Sequence, residues 1–259
     1  MKPLSQLTRE EVQNIKLVSF DADGVTVERG TEILEKDNVL TVKTKQISDS
    51  LLKNLGRLKK YVYINISSGR NLLYLDRMFG PVLWEKASIQ GENGLFTLID
   101  GQILQQSPLT DGELDKIEQI RAEVRKLAET NQNIKGFEPK QFMVSVRCIQ
   151  EDQKVVDIVR RIDTNNEFNV FWISGEAYDI FLKRFNKGVG LEFLRNHLKL
   201  KQDQVMAVGN DPNDIPMLEA AAISITTDPN GAQADFHTEG KFELGGDEVA
   251  ERLLELLEQ

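Results

Sequence analysis

Three polar clusters in this chain each close a short apolar run. Asp21 and Asp23, within Asp21-Ala22-Asp23-Gly24, follow the run 15–20. Ser68, within Ser67-Ser68-Gly69-Arg70, follows 61–66. The stretch Gly209-Asn210-Asp211-Pro212-Asn213-Asp214 follows 205–208, and Lys187 opens an amphipathic segment just before it. An open parallel sheet holds its ligands at the carboxyl ends of its strands. Strands in such a sheet would therefore bring carboxylates, a hydroxyl and an ammonium to one place.

That set suits phosphoryl transfer. One carboxylate can attack phosphorus and carry the group covalently. A second, two residues on, can protonate the leaving group and then activate water. A hydroxyl and a lysine can hold the phosphoryl oxygens. A hard cation with oxygen ligands, Mg²⁺ above all, would offset repulsion between carboxylate and phosphate. Gly24 lets the backbone leave its strand sharply.

The elements that must position these groups follow from periodicity. Apolar residues Ile47, Leu51, Leu52, Leu55 and Leu58 share one helical face, and a second helix spans about 72–79 before Gly80-Pro81 stops it. Helices over 188–198, 215–221 and 248–257 alternate with strands at 205–208 and 223–226. This alternation predicts an α/β fold, a Rossmann-like doubly wound parallel sheet with helices on both faces. Residues 25–42 read as a hairpin turning at Glu28-Arg29-Gly30, and 95–104 as another turning at Asp100-Gly101. The rhythm changes in the middle of the chain. A helix bearing Leu114, Ile117, Val124 and Leu127 leads to a strand at 142–148, a helix around 155–162 and strands at 168–173 and 177–182. The expectation is a core of 1–84 and 186–259 with an inserted α/β cap domain over 85–185.

Composition excludes several classes. Apolar content of 40% and charged content of 28% are those of a globular chain. A net charge of −9, with dispersed basic residues, argues against nucleic-acid binding. No run approaches the ~20 apolar residues that span a bilayer, so no membrane partner is expected. The N-terminal stretch lacks an apolar h-region and reads as a short helix boxed by Thr8 and Glu11. One cysteine, Cys148, excludes an internal disulfide and fits a cytoplasmic protein, a monomer or a homodimer. Cys148 reads as a small core residue, His197 and His237 as surface or boundary residues, and Trp84 and Trp172 as packing residues.

Phe20-Asp21-Ala22-Asp23-Gly24-Val25 resembles the first motif of the haloacid-dehalogenase superfamily, and Ser68-Gly69-Arg70 resembles the second. Lys187-Gly188 resembles the third, and Gly209 through Leu218 the fourth, GDxxND before an apolar helix. The insert stands where the sugar-phosphatase and phosphomannomutase-like branches carry a C2-type cap, and Gly91-Glu92-Asn93-Gly94 resembles the entry to such caps. The resemblance implies Asp21 as nucleophile and Asp23 as general acid and base. It implies Ser68, Gly69, Arg70, Lys187 and Asn213 around a small phosphorylated substrate. It implies Mg²⁺ held by Asp21, the Asp23 carbonyl and the acid of the fourth motif.

One position departs from the pattern. Asn210 stands where the superfamily has the first aspartate of GDxxND. An asparagine offers a carbonyl oxygen without the charge, and Asp211 or Asp214 is available to take over. The expectation is a phosphatase acting on a sugar phosphate through an aspartyl-phosphate, with weakened metal affinity. Two alternatives share the motifs: a phosphomutase, and a catalytically weakened member acting as a binding protein.

Overall fold

The computed structural model describes residues 1–36, 39–173 and 175–258. The chain begins with β1 (Lys2–Pro3), α1 (Arg9–Val12), β2 (Leu17–Asp21), β3 (Glu32–Lys36), β4 (Val39–Lys43) and α2 (Asp49–Leu58). It continues through β5 (Tyr63–Ser67), α3 (Leu72–Phe79), β6 (Ala87–Gly91), β7 (Phe96–Ile99) and β8 (Gln102–Gln105). Next come α4 (Asp111–Ala128), β9 (Ile134–Glu138), β10 (Val144–Cys148), α5 (Gln153–Ile162), β11 (Phe168–Ile173) and β12 (Ala177–Leu182). It ends with α6 (Lys187–His197), β13 (Val205–Gly209), α7 (Ile215–Ala220), β14 (Ile223–Thr226), β15 (Phe236–His237) and α8 (Gly245–Leu257).

The large sheet has the order β1-β15-β14-β13-β2-β5-β6-β7-β8. It is parallel from β1 through β6, and β7 and β8 add antiparallel. β2, β6 and β13 are buried along their whole length, as central strands covered on both faces must be. Register aligns their carboxyl ends: Phe20 lies opposite Val208, and Asp21 opposite Ser67. Leu17, Val205, Ala207, Leu191, Leu194, Met217 and Leu218 form one apolar cluster that seats α6 and α7 on the sheet.

Two compact units share the chain. One comprises 1–30, 45–106 and 186–259, and the other 31–44 and 107–185. The second holds the sheet β11-β12-β10-β9, antiparallel throughout. Two segments differ from the domain boundaries read in the sequence. Residues 87–105 extend the large sheet, because β6 pairs in parallel with β5 and β7 and β8 fold back on it. Their turn is at Asp100-Gly101, with φ of 48° and 73°, the mirror-image turn that suits a two-residue hairpin. The β3–β4 hairpin belongs to the second unit. There Glu35 accepts from the Phe137 amide at 3.2 Å and from Arg125 at 3.3 Å. Its strands run 32–36 and 39–43, pairing Lys36 with Val39, so Glu28-Arg29-Gly30 is not its turn; residues 37 and 38 lie outside the described ones.

β9 was not anticipated. Its alternation is short and broken by Gly136, whose Cβ would stand 3.0 Å from that of Glu35. Smaller readings hold: Thr8 and Glu11 form the expected capping box, and Cys148 is buried. Trp84, by contrast, is exposed, with φ of 73°. Among the described residues no helix is long and apolar enough to cross a membrane.

Candidate active site

β2 delivers Asp21 to the carboxyl edge of the large sheet, buried despite its charge. The chain then turns on Gly24 at φ 81°, and the Thr26 hydroxyl donates to the carbonyls of Asp21 at 2.9 Å and Ala22 at 3.2 Å. Gly246, at the start of α8, locks the loop from behind by donating its N–H to the Val25 carbonyl at 2.9 Å. β13 ends at Gly209, and a Cβ there would stand 2.5 Å from that of Asp214. Only glycine lets Asp214 fold back so closely.

Lys187 joins these two loops. Its ammonium donates to Asp21 Oδ1 and to Asp214 Oδ1, both at 2.5 Å. Asp214 Oδ2 accepts from the backbone N–H groups of Asn210 at 2.9 Å and Asp211 at 3.1 Å. Asp21, Lys187 and Asp214 are all buried. Burial, with the carboxylates of Asp214 and Asp23, pushes Asp21 up to about 8 against the pull of Lys187. Burial also works against the Lys187 charge, but Asp21 and Asp214 outweigh it and hold the lysine above its ordinary value. Lys187 thus keeps its proton at neutral pH.

Its helix is firmly placed. Asn186 caps α6, accepting from the Val189 amide at 3.0 Å. Gly190 packs on Gly94 closely enough that a Cβ on either would lie 2.5 Å from the other's Cα. The Gly190 carbonyl accepts from Gln90 Nε2 at 2.7 Å. Gln90 is one end of a buried polar ladder that runs through Asn65 to Ser19 at 3.0 and 2.8 Å, so the sheet interior is tied to the helix that carries Lys187.

Ser68 follows β5. Its N–H donates to the Gln90 carbonyl at 2.9 Å, and its Oγ accepts from the Arg70 amide at 3.2 Å across Gly69. Arg70 is buried and grips Asp23 with both arms, Nε to Oδ2 at 2.7 Å and a terminal nitrogen to Oδ1 at 2.6 Å. Asn213 lies half-buried in the short 3₁₀ turn Pro212–Asp214.

The fourth cluster divides its acids. Asp211 accepts from Arg29 at 2.7 Å, while both oxygens of Asp214 are taken by Lys187 and backbone amides. The expectation that either replaces Asn210 as a ligand therefore meets two engaged carboxylates. Asn210 is buried; its Nδ2 donates to the Asp23 carbonyl at 3.3 Å, and its Oδ1 has no partner among the described residues. Among the described residues no three His, Cys, Asp or Glu side chains gather as a metal cluster. The oxygens on offer are of mixed kinds: the Asp21 carboxylate, the Asp23 carbonyl and the unpartnered Asn210 amide oxygen. An all-oxygen set of this kind fits a hard divalent cation such as Mg²⁺.

Arg29 was read in the sequence only as a turn residue. A Cβ on Gly24 would lie 2.8 Å from Arg29 Nε and 2.5 Å from Asn210 Nδ2, so the guanidinium covers the same loop face. Burial lowers Arg29, but Asp211, Asp21 and Asp23 more than offset it. No local signal marks Arg29, because its partner lies 182 residues away.

Comparison with known proteins meets this geometry. A family model for the haloacid dehalogenase-like hydrolases matches residues 121–229, a span that includes Lys187 and the whole fourth cluster. The chain is 25% identical to a phosphoglycolate phosphatase of Methanopyrus kandleri over 74% of its own length and 82% of that protein. It is 22% identical to one of Thermoplasma acidophilum, over 92% and 96%. Among solved structures it is similar to a trehalose-6-phosphate phosphatase of Aspergillus fumigatus, at a TM-score of 0.62 and 18% identity, covering 100% of each chain. That last likeness is one of fold. The fold is that of a Rossmann-like core with a cap. Over residues 121–229 the chain is similar to the haloacid dehalogenase-like hydrolases.

Proposed function

We propose that this hydrolase is a Mg²⁺-dependent phosphatase that releases phosphate from a small phosphorylated metabolite, a sugar phosphate in the first instance, through an aspartyl-phosphate on Asp21. The observation that most supports this reading is the buried Lys187 ammonium bridging Asp21 and Asp214 where β2 and β13 end. A nucleophilic carboxylate held this way has one oxygen fixed by a cation and its reactive face set by the strand.

In the proposed reaction a carboxylate oxygen of Asp21 bonds to phosphorus as the ester P–O bond breaks. The departing oxygen takes a proton from Asp23. Water then attacks the phosphorus and gives its proton back to Asp23, and inorganic phosphate leaves Asp21 as a free carboxylate. Ser68 Oγ, the Gly69 backbone, Lys187 and Asn213 are the proposed phosphoryl contacts. Arg70 is assigned first to Asp23, which its two-armed bond keeps aimed, and one arm must release its oxygen before that oxygen carries the proton given to the leaving group. When bound, Mg²⁺ would supply positive charge against the approach of a carboxylate to an anionic phosphoryl group. Asp21, the Asp23 carbonyl and Asn210 are the residues that would hold it.

A second reading takes phosphoglycolate as the substrate, on the names of the two curated relatives. One assay separates the readings. Phosphate release is measured from hexose phosphates, phosphoglycolate and an aryl phosphate, with Mg²⁺ and with chelator. Turnover that needs Mg²⁺ and vanishes in Asp21→Asn is expected. Isomerised sugar phosphate without free phosphate would identify a mutase instead. No release from any ester, the aryl phosphate included, would sink the enzymatic reading.

A further inference from the structure

Asn210 does two things that an aspartate there could not. Its Nδ2 donates to the Asp23 carbonyl at 3.3 Å, so that carbonyl is satisfied by the protein itself. Its Oδ1 is left buried and without a partner among the described residues. A carboxylate at this position would face the Asp23 carbonyl oxygen to oxygen, and only a cation or a proton would relieve the contact. The amide relieves it with its own N–H. A half-turn of the same amide presents Oδ1 where Nδ2 now stands, because the two ends are nearly equal in shape.

Charge leads to the same conclusion. Asp21, Asp23, Asp211 and Asp214 are each bonded to a cation, drawn from Lys187, Arg70 and Arg29. Four acidic side chains against three cations leave at most a single negative charge, and an aspartate at 210 would add one more. Such a site attracts a divalent cation weakly on its own, since Coulomb attraction scales with the charge that remains uncompensated. A phosphoryl group, itself an anion with oxygen ligands, supplies both the missing charge and a further ligand.

We infer that the metal in this protein is recruited together with the phosphorylated ligand rather than resident beforehand, and that the Asn210 amide keeps the cation-free pocket satisfied in between. The inference rests on the metal site proposed above and adds an order of assembly to it. Coupling between the two ligands is reciprocal: phosphate must tighten the metal by the same factor as the metal tightens phosphate.

The test is Mn²⁺ binding followed by electron paramagnetic resonance on the intact protein, without substrate turnover. The unmodified protein is expected to bind Mn²⁺ about tenfold or more tightly once inorganic phosphate is added. Asn210→Asp is expected to bind Mn²⁺ about tenfold more tightly than the unmodified protein when phosphate is absent, and to gain less from phosphate. In chelator, the same variant should melt at a lower temperature than the parent and recover with Mn²⁺. Equal Mn²⁺ affinity in parent and Asn210→Asp, or no tightening by phosphate in the parent, overturns the inference while leaving the metal site intact. Unchanged Mn²⁺ binding in Asp21→Asn overturns the metal site itself, and the inference with it.

Discussion

Arg70 holds both carboxylate oxygens of Asp23 at 2.7 and 2.6 Å, a two-armed grip that no lysine can reproduce. If Asp23 is the proton donor, losing this grip should harm leaving-group chemistry more than binding. Arg70→Lys is expected to lower kcat about tenfold to a hundredfold on a sugar phosphate, and much less on p-nitrophenyl phosphate, whose leaving group needs no proton. Equal losses on both esters would remove Asp23 from the acid's role.

Lys187 compensates two buried carboxylates at once. Lys187→Met leaves both buried carboxylates without a compensating cation, although Asp214 keeps its two backbone N–H donors. It should cost about 3–5 kcal/mol of stability, read by urea unfolding, as well as all turnover. A variant as stable as the parent would show that water or ions reach the pocket.

Asp21→Asn should abolish phosphate release without destabilising the protein, since Lys187 keeps Asp214. The pH dependence has a definite sign. Asp21 rises from 3.8 to about 8 on folding, so between those values the folded state holds a proton that the unfolded chain lacks. Stability in chelator should therefore fall as pH rises across that window, and Asp21→Asn should lack this slope.

Glu113 supplies the opposite sign. It closes the Thr110 capping box of α4 and takes Arg184 at 2.7 and 2.8 Å, and the Arg184 bond holds its carboxyl below the ordinary 4.5. Its contribution is present above the ordinary value and lost as pH falls through the lower, folded one. Glu113→Gln should cost about 1 kcal/mol at pH 7 and progressively less as the pH falls below the ordinary carboxylate range. A cost independent of pH would assign the effect to packing.

Gly209→Ala tests the approach of β13 to Asp214. The added Cβ would meet Asp214 Cβ at 2.5 Å and Oδ2 at 2.9 Å, so the turn must open. A loss of about 1–3 kcal/mol is expected, with activity falling further than stability because Lys187 loses its register. Full activity would show that the loop relaxes without moving Asp214.

Much of the site was legible because its residues announce themselves locally. Asp21, Ser68, Lys187 and Asp214 each sit at a change from apolar run to polar cluster, and register brings those ends together. The partners of these residues were not legible. That Arg70 turns to Asp23, and Arg29 to Asp211, depends on side-chain contacts 47 and 182 residues apart in the chain, for which periodicity carries no information. The strand ends at 168–173 and 177–182 matched because each is a dense apolar run, whereas β9 is short and interrupted by Gly136. The boundary at 85 failed for a related reason. β6 and the β7–β8 hairpin look like any small β unit, and only their pairing with β5 assigns them to the large sheet.

The β3–β4 hairpin has a practical consequence for anyone grafting specificity between relatives. The backbone passes from one unit to the other at 30/31, 44/45, 106/107 and 185/186, four junctions rather than the two of a simple insertion. Transplanting 107–185 alone would strip Glu35 from Phe137 and Arg125, and would leave a two-stranded ribbon that is marginal in water by itself. A viable chimera must carry 31–44 along with it, and those residues begin only a few positions beyond Asp23.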